Sequence, residues 1–176
     1  MSDLSPASLG LFFGSALFNS EHISFLEIKK NWCDRFGPAV EFHHDFFPMK
    51  EYYSKQMGPE NKLSRVILTG LIPSRREELV AHKRWADEWE KSLFKTPGLR
   101  ILNLDIGLLT LENLTLATGK NFSHRLYLGE GVYGDLNLQF ENKTFRPLPW
   151  AYPDYAHPDF IQFFNWVRGF LKRSIV

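Results

Sequence analysis

Between Arg100 and Tyr133 the chain sets polar groups within an apolar frame, RILNLDIGLLTLENLTLATGKNFSHRLYLGEGVY. Arg100, Asn103 and Asp105 alternate with Ile101, Leu102, Leu104 and Ile106, and Lys120, His124 and Arg125 follow a second apolar run. Asn103 and Asp105 lie two apart, so on a strand they share a face with each other and with Ile101. A carboxylate on the mostly apolar side of a strand is costly unless a cation, a hydrogen-bond donor or a metal meets it. Asp105 is therefore a candidate catalytic base or metal ligand, with magnesium as the ion it could help to hold. An Asp shortly before a Gly also serves as a turn acceptor. Arg100, Asn103, Lys120, His124 and Arg125 are candidate ligand contacts. Arginine offers a planar fork, lysine a point charge and histidine a switchable donor, which together suit a phosphorylated or nucleotide-like anion. The same residues also suit a solvated basic loop. The expected site has Asp105, at the end of its strand, facing Lys120, His124 and Arg125 across a cleft.

Other constellations are weaker. His43-His44-Asp45 invites a metal, yet on a strand only His43 and Asp45 face together, and zinc takes at least three protein ligands. His82, His124 and His157 are distant candidates with no ligand spacing. On a helix, His82 and Lys83 fall towards the apolar stripe, from which either could reach Asp105 or Lys83 could snorkel over the core edge. Asp154 in Pro149–Tyr155 (PWAYPDY) reads as a local turn acceptor. Gly119-Lys120 lacks the Ser or Thr and the upstream Gly of a phosphate-binding loop, since Asn121 and Leu114 stand there. Leu9-Gly-Leu-Phe-Phe-Gly is not G-x-G-x-x-G, and neither Asn-Lys segment has the aspartate of the guanine-reading tetrad. There is no Gly-x-Ser-x-Gly elbow, and nothing adjacent activates Cys33.

Composition narrows the classes. With 176 residues, 44% hydrophobic, the chain can bury one sizeable core. A formal charge of +1 argues against nucleic acid or an anionic membrane as a partner, leaving a small anionic ligand or nucleotide. The single cysteine excludes an intramolecular disulfide and fits a reducing cytoplasm. The first residues do not read as a signal peptide, and no apolar run reaches the ~20 residues of a membrane span.

The elements that must position these residues follow from periodicity. Leu9–Leu17 and Arg65–Ile72 read as buried strands, Val40–Phe47 as extended, and Leu99–Leu104 as a further strand. Ser20 reads as the N-cap of a helix carrying Phe25, Ile28, Trp32 and Phe36, stopped by Gly37-Pro38. Pro48–Asn61 reads as a long loop. Ser74-Arg75-Arg76-Glu77 fits a capping box opening a second helix that ends before Pro97-Gly98. Leu108–Ala117 suits helix or strand. Arg125–Phe140 and Thr144–Leu148 read as strands turning at Gly129-Glu130-Gly131 and Asn142-Lys143. A last helix carries Phe160, Phe163, Phe164, Val167, Phe170 and Leu171 on one stripe. The order predicts one α+β domain, residues 1–176, with a ferredoxin-like βαββαβ core over 1–104 and a β-hairpin and C-terminal helix over 105–176.

Several segments resemble one bacterial family, the domain-of-unknown-function 4416 family, whose members are often labelled GTP-binding. They are Tyr52-Tyr53-x-x-x-Met57-Gly58, Asn103-Leu104-Asp105 with Leu109-Thr110-Leu111, and Leu116-Ala117-Thr118-x-Lys120. Ser123-His124-Arg125-x-Tyr127-Leu128 and Trp150-x-Tyr152-Pro153-Asp154-Tyr155 complete the set. The family usually has Asp-Pro-Gly-Tyr where this chain has Asp105-Ile106-Gly107-Leu108. Arg100-x-x-Asn103-x-Asp105, after Gly14-Ser15, is more faintly similar to hydroxymethyl-dihydropterin pyrophosphokinase, which implies a ferredoxin-like fold and magnesium. Asn103 stands where that family has its first magnesium aspartate.

Two function classes fit. One binds an anionic ligand or nucleotide, with phosphoryl transfer as a reaction. The other is a non-enzymatic interaction module using an aromatic surface of Tyr52, Tyr53, Trp150 and Tyr155. A deep polar pocket beside Asp105 favours the first, a flat exposed aromatic patch the second.

Overall fold

The computed structural model describes residues 3–94 and 98–175. Its organising strand is β1, Leu11–Asn19, in which every residue is buried. A strand buried on both faces carries a continuous apolar run, as here, because helices must cover each side. Around it stand β2 (Ala39–His43), β3 (Leu63–Gly70), β4 (Leu102–Leu109), β5 (Asn113–Thr118), β6 (Arg125–Gly129), β7 (Val132–Glu141) and β8 (Thr144–Pro147). The sheet order is β2-β3-β1-β4-β5-β7-β6, every pairing is antiparallel, and β8 joins β7 beside β6. The four helices are α1 (Phe25–Phe36), α2 (Lys50–Met57), α3 (Leu79–Ser92) and α4 (Pro158–Ser174). The expected mixed architecture of helices on an antiparallel sheet is therefore present.

The period of two along β1 separates two cores. Phe12, Ala16 and Phe18 pack with Ile28, Trp32 and Phe36 of α1 and Leu79 and Ala86 of α3. Leu11 and Phe13 point the other way, into Phe160, Phe164, Val167 and Leu171 of α4. The stripe read on the last helix is the one that docks. Two glycines allow this close layering. A Cβ on Gly14 would lie 2.4 Å from the Trp32 ring, and one on Gly107 would lie 2.1 Å from Phe13. A third cluster, Leu17, Met57 and Leu63, seats α2 beside α4 on the second face.

Local signals were misplaced at several points. The first helix is capped by Ser24, whose side chain accepts from the Glu27 amide. Ser20 instead donates its hydroxyl to the Lys62 carbonyl. Gly37 does end that helix, with φ 73°. Ser74 is not a cap either: its amide and carbonyl bridge to Gly10, its hydroxyl turns to the Ile72 carbonyl, and α3 begins at Leu79 after a short 3-10 turn. Ser74 thus sits in an isolated bridge to Gly10, just before β1, rather than at the start of α3. The expected stop at Pro97 lies outside the described residues, and α3 ends at Ser92. Residues 50–57 form α2 rather than loop, because Tyr53 and Met57, four apart, bury one side of a turn against β1 and β3. Residues 108–117 resolve into the end of β4, a turn and β5, and β4 runs on to Leu109, which puts Asp105 in mid-strand. The two hairpin turns lie where read, with positive φ at Glu130, Gly131, Asn142 and Lys143. Among the described residues no helix is long and apolar enough to cross a membrane.

Candidate functional site

β4 and β5 pair only from Gly107 to Leu109, opposite Leu114 to Leu116. Beyond that point β5 follows β7, and the first half of β4 stays with β1 alone. The sheet thus forks, and a cavity of about 410 Å³ occupies the fork. Its walls include Ser15 of β1, Arg65 of β3, Asn103 and Asp105 of β4, and Leu116 to Lys120 at the end of β5. Tyr52, Tyr53 and Gln56 of α2, Lys83 and Asp87 of α3, Arg100, Asp135 of β7, and Tyr152, Asp154 and Tyr155 before α4 also line it. The forked edge leaves the Leu104 amide without a strand partner, and Glu90 of α3 accepts it at 2.7 Å. The other Glu90 oxygen takes Arg100 Nη2 at 2.5 Å. Burial holds the Glu90 carboxyl above the usual range, opposed by the Arg100 charge and the Leu104 amide.

The charges of the cavity wall are mostly paired. Arg65 and Asp154 form an ion pair with both side chains 6% exposed. Arg65 also donates to Ser15 Oγ at 2.9 Å and lies over the rings of Phe47, Tyr155 and Phe160. Asp154 is thus a buried counter-ion rather than a turn acceptor. Lys83 reaches Asp87 at 2.6 Å. Its neighbour His82 stays in the core, with ring centroids of Phe12 and Phe36 at 4.4 and 4.6 Å, and does not approach Asp105. Asp135 Oδ2 receives Arg125 Nε at 2.9 Å. Among the described residues, Asp105 and Lys120 are the charged groups of the wall that form no ion pair within 4.0 Å. Asp105 accepts one hydrogen bond, from Asn103 Nδ2 at 2.7 Å.

Of the residues singled out in the sequence, Arg100, Asn103, Asp105 and Lys120 therefore meet at one cavity. His124 and Arg125 stand behind its Asp135 wall. Arg125 spends its other nitrogens on the Lys120 carbonyl at 3.0 Å and the Tyr152 hydroxyl at 3.4 Å. His124 stacks on Trp150 and stands 3.5 Å from Asp135 Oδ1 without forming a hydrogen bond to it. These two residues position the wall. Arg65 and Asp135 escaped the sequence reading, and the tyrosines of α2, read there as part of an interaction surface, line the cavity instead. An arginine opening the apolar run RVILTGLI and an acid inside the strand VYGDLNLQFE were the available signals.

Among the described residues three buried polar atoms of the wall lack a well-formed hydrogen bond: Arg65 Nη1, which its ion pair with Asp154 satisfies, the Tyr155 hydroxyl, which lies beside Ser15, and Asp135 Oδ1. Native proteins satisfy nearly all such atoms, so Asp135 Oδ1 is an open position for a polar occupant. Burial pushes the phenols of Tyr53, Tyr152 and Tyr155 up, and the negative charge of Asp105 adds to the rise at each. All three are neutral at physiological pH.

Among the described residues, the group of three that could hold a metal is His44, His157 and Asp159, with ligand atoms within 4.8 Å of one another. The chain recruits His157 to the His43-His44-Asp45 segment by folding, while His43 turns to Glu41 and β2 ends before Asp45. The ring lone pairs are already engaged. His44 Nδ1 accepts the Phe46 amide at 3.0 Å, which leaves the proton on Nε2 for Asp159 at 2.9 Å. His157 Nδ1 accepts the Asp159 amide as the N-cap of α4. A cation would have to break both of these hydrogen bonds, and Asp105 belongs to no such group of three among the described residues.

The family model described as "Domain of unknown function (DUF4416)" matches residues 9–170, and the chain belongs to that family. No curated protein and no solved structure matches, and nothing found supports the likeness to the pyrophosphokinase.

Proposed function

We propose that this member of the DUF4416 family binds a small phosphorylated or nucleotide-like ligand in the cavity at the β4–β5 fork. The observation that carries the proposal is the residual charge. Among the described residues every other ionised group of the wall has a partner, and Lys120 and Asp105 are left over. Lys120, with Arg100 shared from Glu90, would meet the anion. Asp105 would meet the group the anion is attached to. A cavity of this size lies within the range of roughly 300–1,000 Å³ of small-molecule sites.

Phosphoryl transfer is the reaction this set would suit. The cations would offset charge on the phosphoryl oxygens, and Asp105 could accept the proton of an attacking hydroxyl. A magnesium ion at Asp105 would find one protein carboxylate and would draw its other ligands from water and phosphate. The interaction-module alternative has less support. Tyr155 is 3% exposed and Tyr53 faces the cavity, so the four aromatics named for it do not make one flat surface. A cytoplasmic location fits the lone Cys33.

The run β2-β3-β1-β4, antiparallel throughout, has α1 and α3 in its two crossovers on one face. That order supports a ferredoxin-like unit over β1 to β4, with α2 inserted and the hairpin strands and α4 added.

Thermal denaturation with phosphate, ATP and GTP, each with and without magnesium, tests the binding. Ligand at ~100-fold over its Kd adds about 2.7 kcal/mol to the folded state, which raises Tm. The shift should vanish in Lys120→Ala. No shift with any phosphate compound, at concentrations up to millimolar, would defeat the proposal.

A further inference from the structure

We infer that the ligand is zwitterionic, with an ammonium group seated on Asp105 among the tyrosines and its anionic group at Lys120. The inference rests on the ligand-binding proposal above and names the ligand's chemical class.

The acid at the centre of the wall is the starting point. Asp105 sits in mid-strand opposite Ser15, half-buried, with an amide as its one donor. Three other acids line the same cavity, and each is matched by a cation of the protein: Asp87 by Lys83, Asp135 by Arg125, Asp154 by Arg65. A partly desolvated carboxylate without a cation is the most unfavourable charge in such a set, and an incoming cation is what it lacks. Lys120 lies on the same wall, exposed, and among the described residues it forms no ion pair. The two unmet charges are of opposite sign, so a ligand carrying both signs satisfies both.

The surroundings of Asp105 select an organic cation over a metal. Asn103 turns its amide nitrogen to the carboxylate, so the nearest side chain offers N–H where a metal needs oxygen. Tyr53, Tyr152 and Tyr155 add aromatic faces and neutral hydroxyls. Rings beside a carboxylate attract ammonium and guanidinium groups through the ring quadrupole as well as the charge. The protein already uses this combination one strand over from β1. There Arg65 is held by Asp154 and by Phe47, Tyr155 and Phe160, at 4.9, 5.7 and 5.2 Å from the ring centroids. The buried Asp135 Oδ1, without a hydrogen-bond partner, is an independent mark of a polar occupant, an acceptor for the ligand's remaining groups.

The test is isothermal titration of the full chain with matched pairs of phosphate esters, in EDTA and then in magnesium. Glucosamine 6-phosphate is set against glucose 6-phosphate, and phosphoethanolamine against glycol phosphate. The aminated member of at least one pair should bind about ten-fold more tightly or better, without metal, as expected for one added charge-assisted contact. The near-isosteric Asp105→Asn should bring that ratio to about one. Lys120→Ala should weaken both members of a pair equally. Equal binding of both members by the wild-type protein, or a preference that survives Asp105→Asn, overturns the zwitterion and leaves anion binding standing. A preference that appears only with magnesium assigns Asp105 to the metal and overturns it as well. Absence of binding by every ester removes the underlying proposal together with the inference. The wild-type ratio decides the matter even if a variant fails to fold.

Discussion

His82 is wedged between Phe12 and Phe36, accepts Arg35 Nε on its Nδ1 at 3.3 Å, and has Glu78 3.3 Å from Nε2. The geometry defines a neutral ring with its proton on Nε2. Burial, and then the Arg35 charge, hold its pKa below the ordinary 6.5, with Glu78 opposing. The unfolded chain therefore binds the proton first as pH falls. The stability contributed by neutral His82 is complete above about pH 6.5 and is lost as pH drops towards the lower folded value. Denaturation midpoints at about pH 7.5 and 5.5 should differ more in the wild type than in His82→Gln. Equal differences would mean that His82 does not titrate this way. Arg125 poses a related question of role. Its side chain is 11% exposed and bound to Asp135, so its removal would leave a buried carboxylate uncompensated and act on the fold before it acts on any ligand.

At the scale of elements, the helix starts separate a motif from its use. Ser24→Ala should cost about 1 kcal/mol, because its oxygen satisfies an orphan amide of α1. Ser74→Ala should fall within about 0.5 kcal/mol of wild type, since its hydroxyl only returns to Ile72 in an exposed loop. Urea midpoints of the two variants check both numbers. A large loss at Ser74 would show that the capping box forms after all. The α2 segment carries a further lesson. Its apolar contacts are Met57 and Tyr53, and the Arg100 amide bonds to the Gln56 carbonyl, so the helix is held mostly by what lies around it. Short helices rely on tertiary contacts in this way.

For the whole molecule, the two cores meet on β1, which β3 and β4 flank on both edges. β6 lies at the free edge, pairs over four positions with β7, and exposes Leu126, Tyr127 and Leu128. Amide hydrogen exchange should therefore be slowest in β1 and β3, at the rate of global unfolding. Exchange in β6 should be faster by about two orders of magnitude, because an edge opens without disturbing either core. Uniform protection across the sheet would contradict a layered core centred on β1.

The sequence by itself determined the β1 and β3 strands, the positive-φ turns at 129–131 and 142–143, the Gly37 stop and the docking stripe of α4. Each rests on interactions within a few residues, or on a periodicity that any burying partner would read alike. It also marked Arg100, Asn103, Asp105 and Lys120, since an acid or amide inside an apolar strand is costly wherever the strand is placed. Which of the basic residues stay free was decided by the tertiary structure alone. Arg125 and Lys120 are five apart in the same basic segment, yet Asp135 on β7 engages one and leaves the other. The cavity depends on β4 and β5 separating after three paired positions, and on α2 and α3 reaching the fork from opposite layers. Pairing energies between segments far apart in the chain set that geometry, and no local pattern carries them.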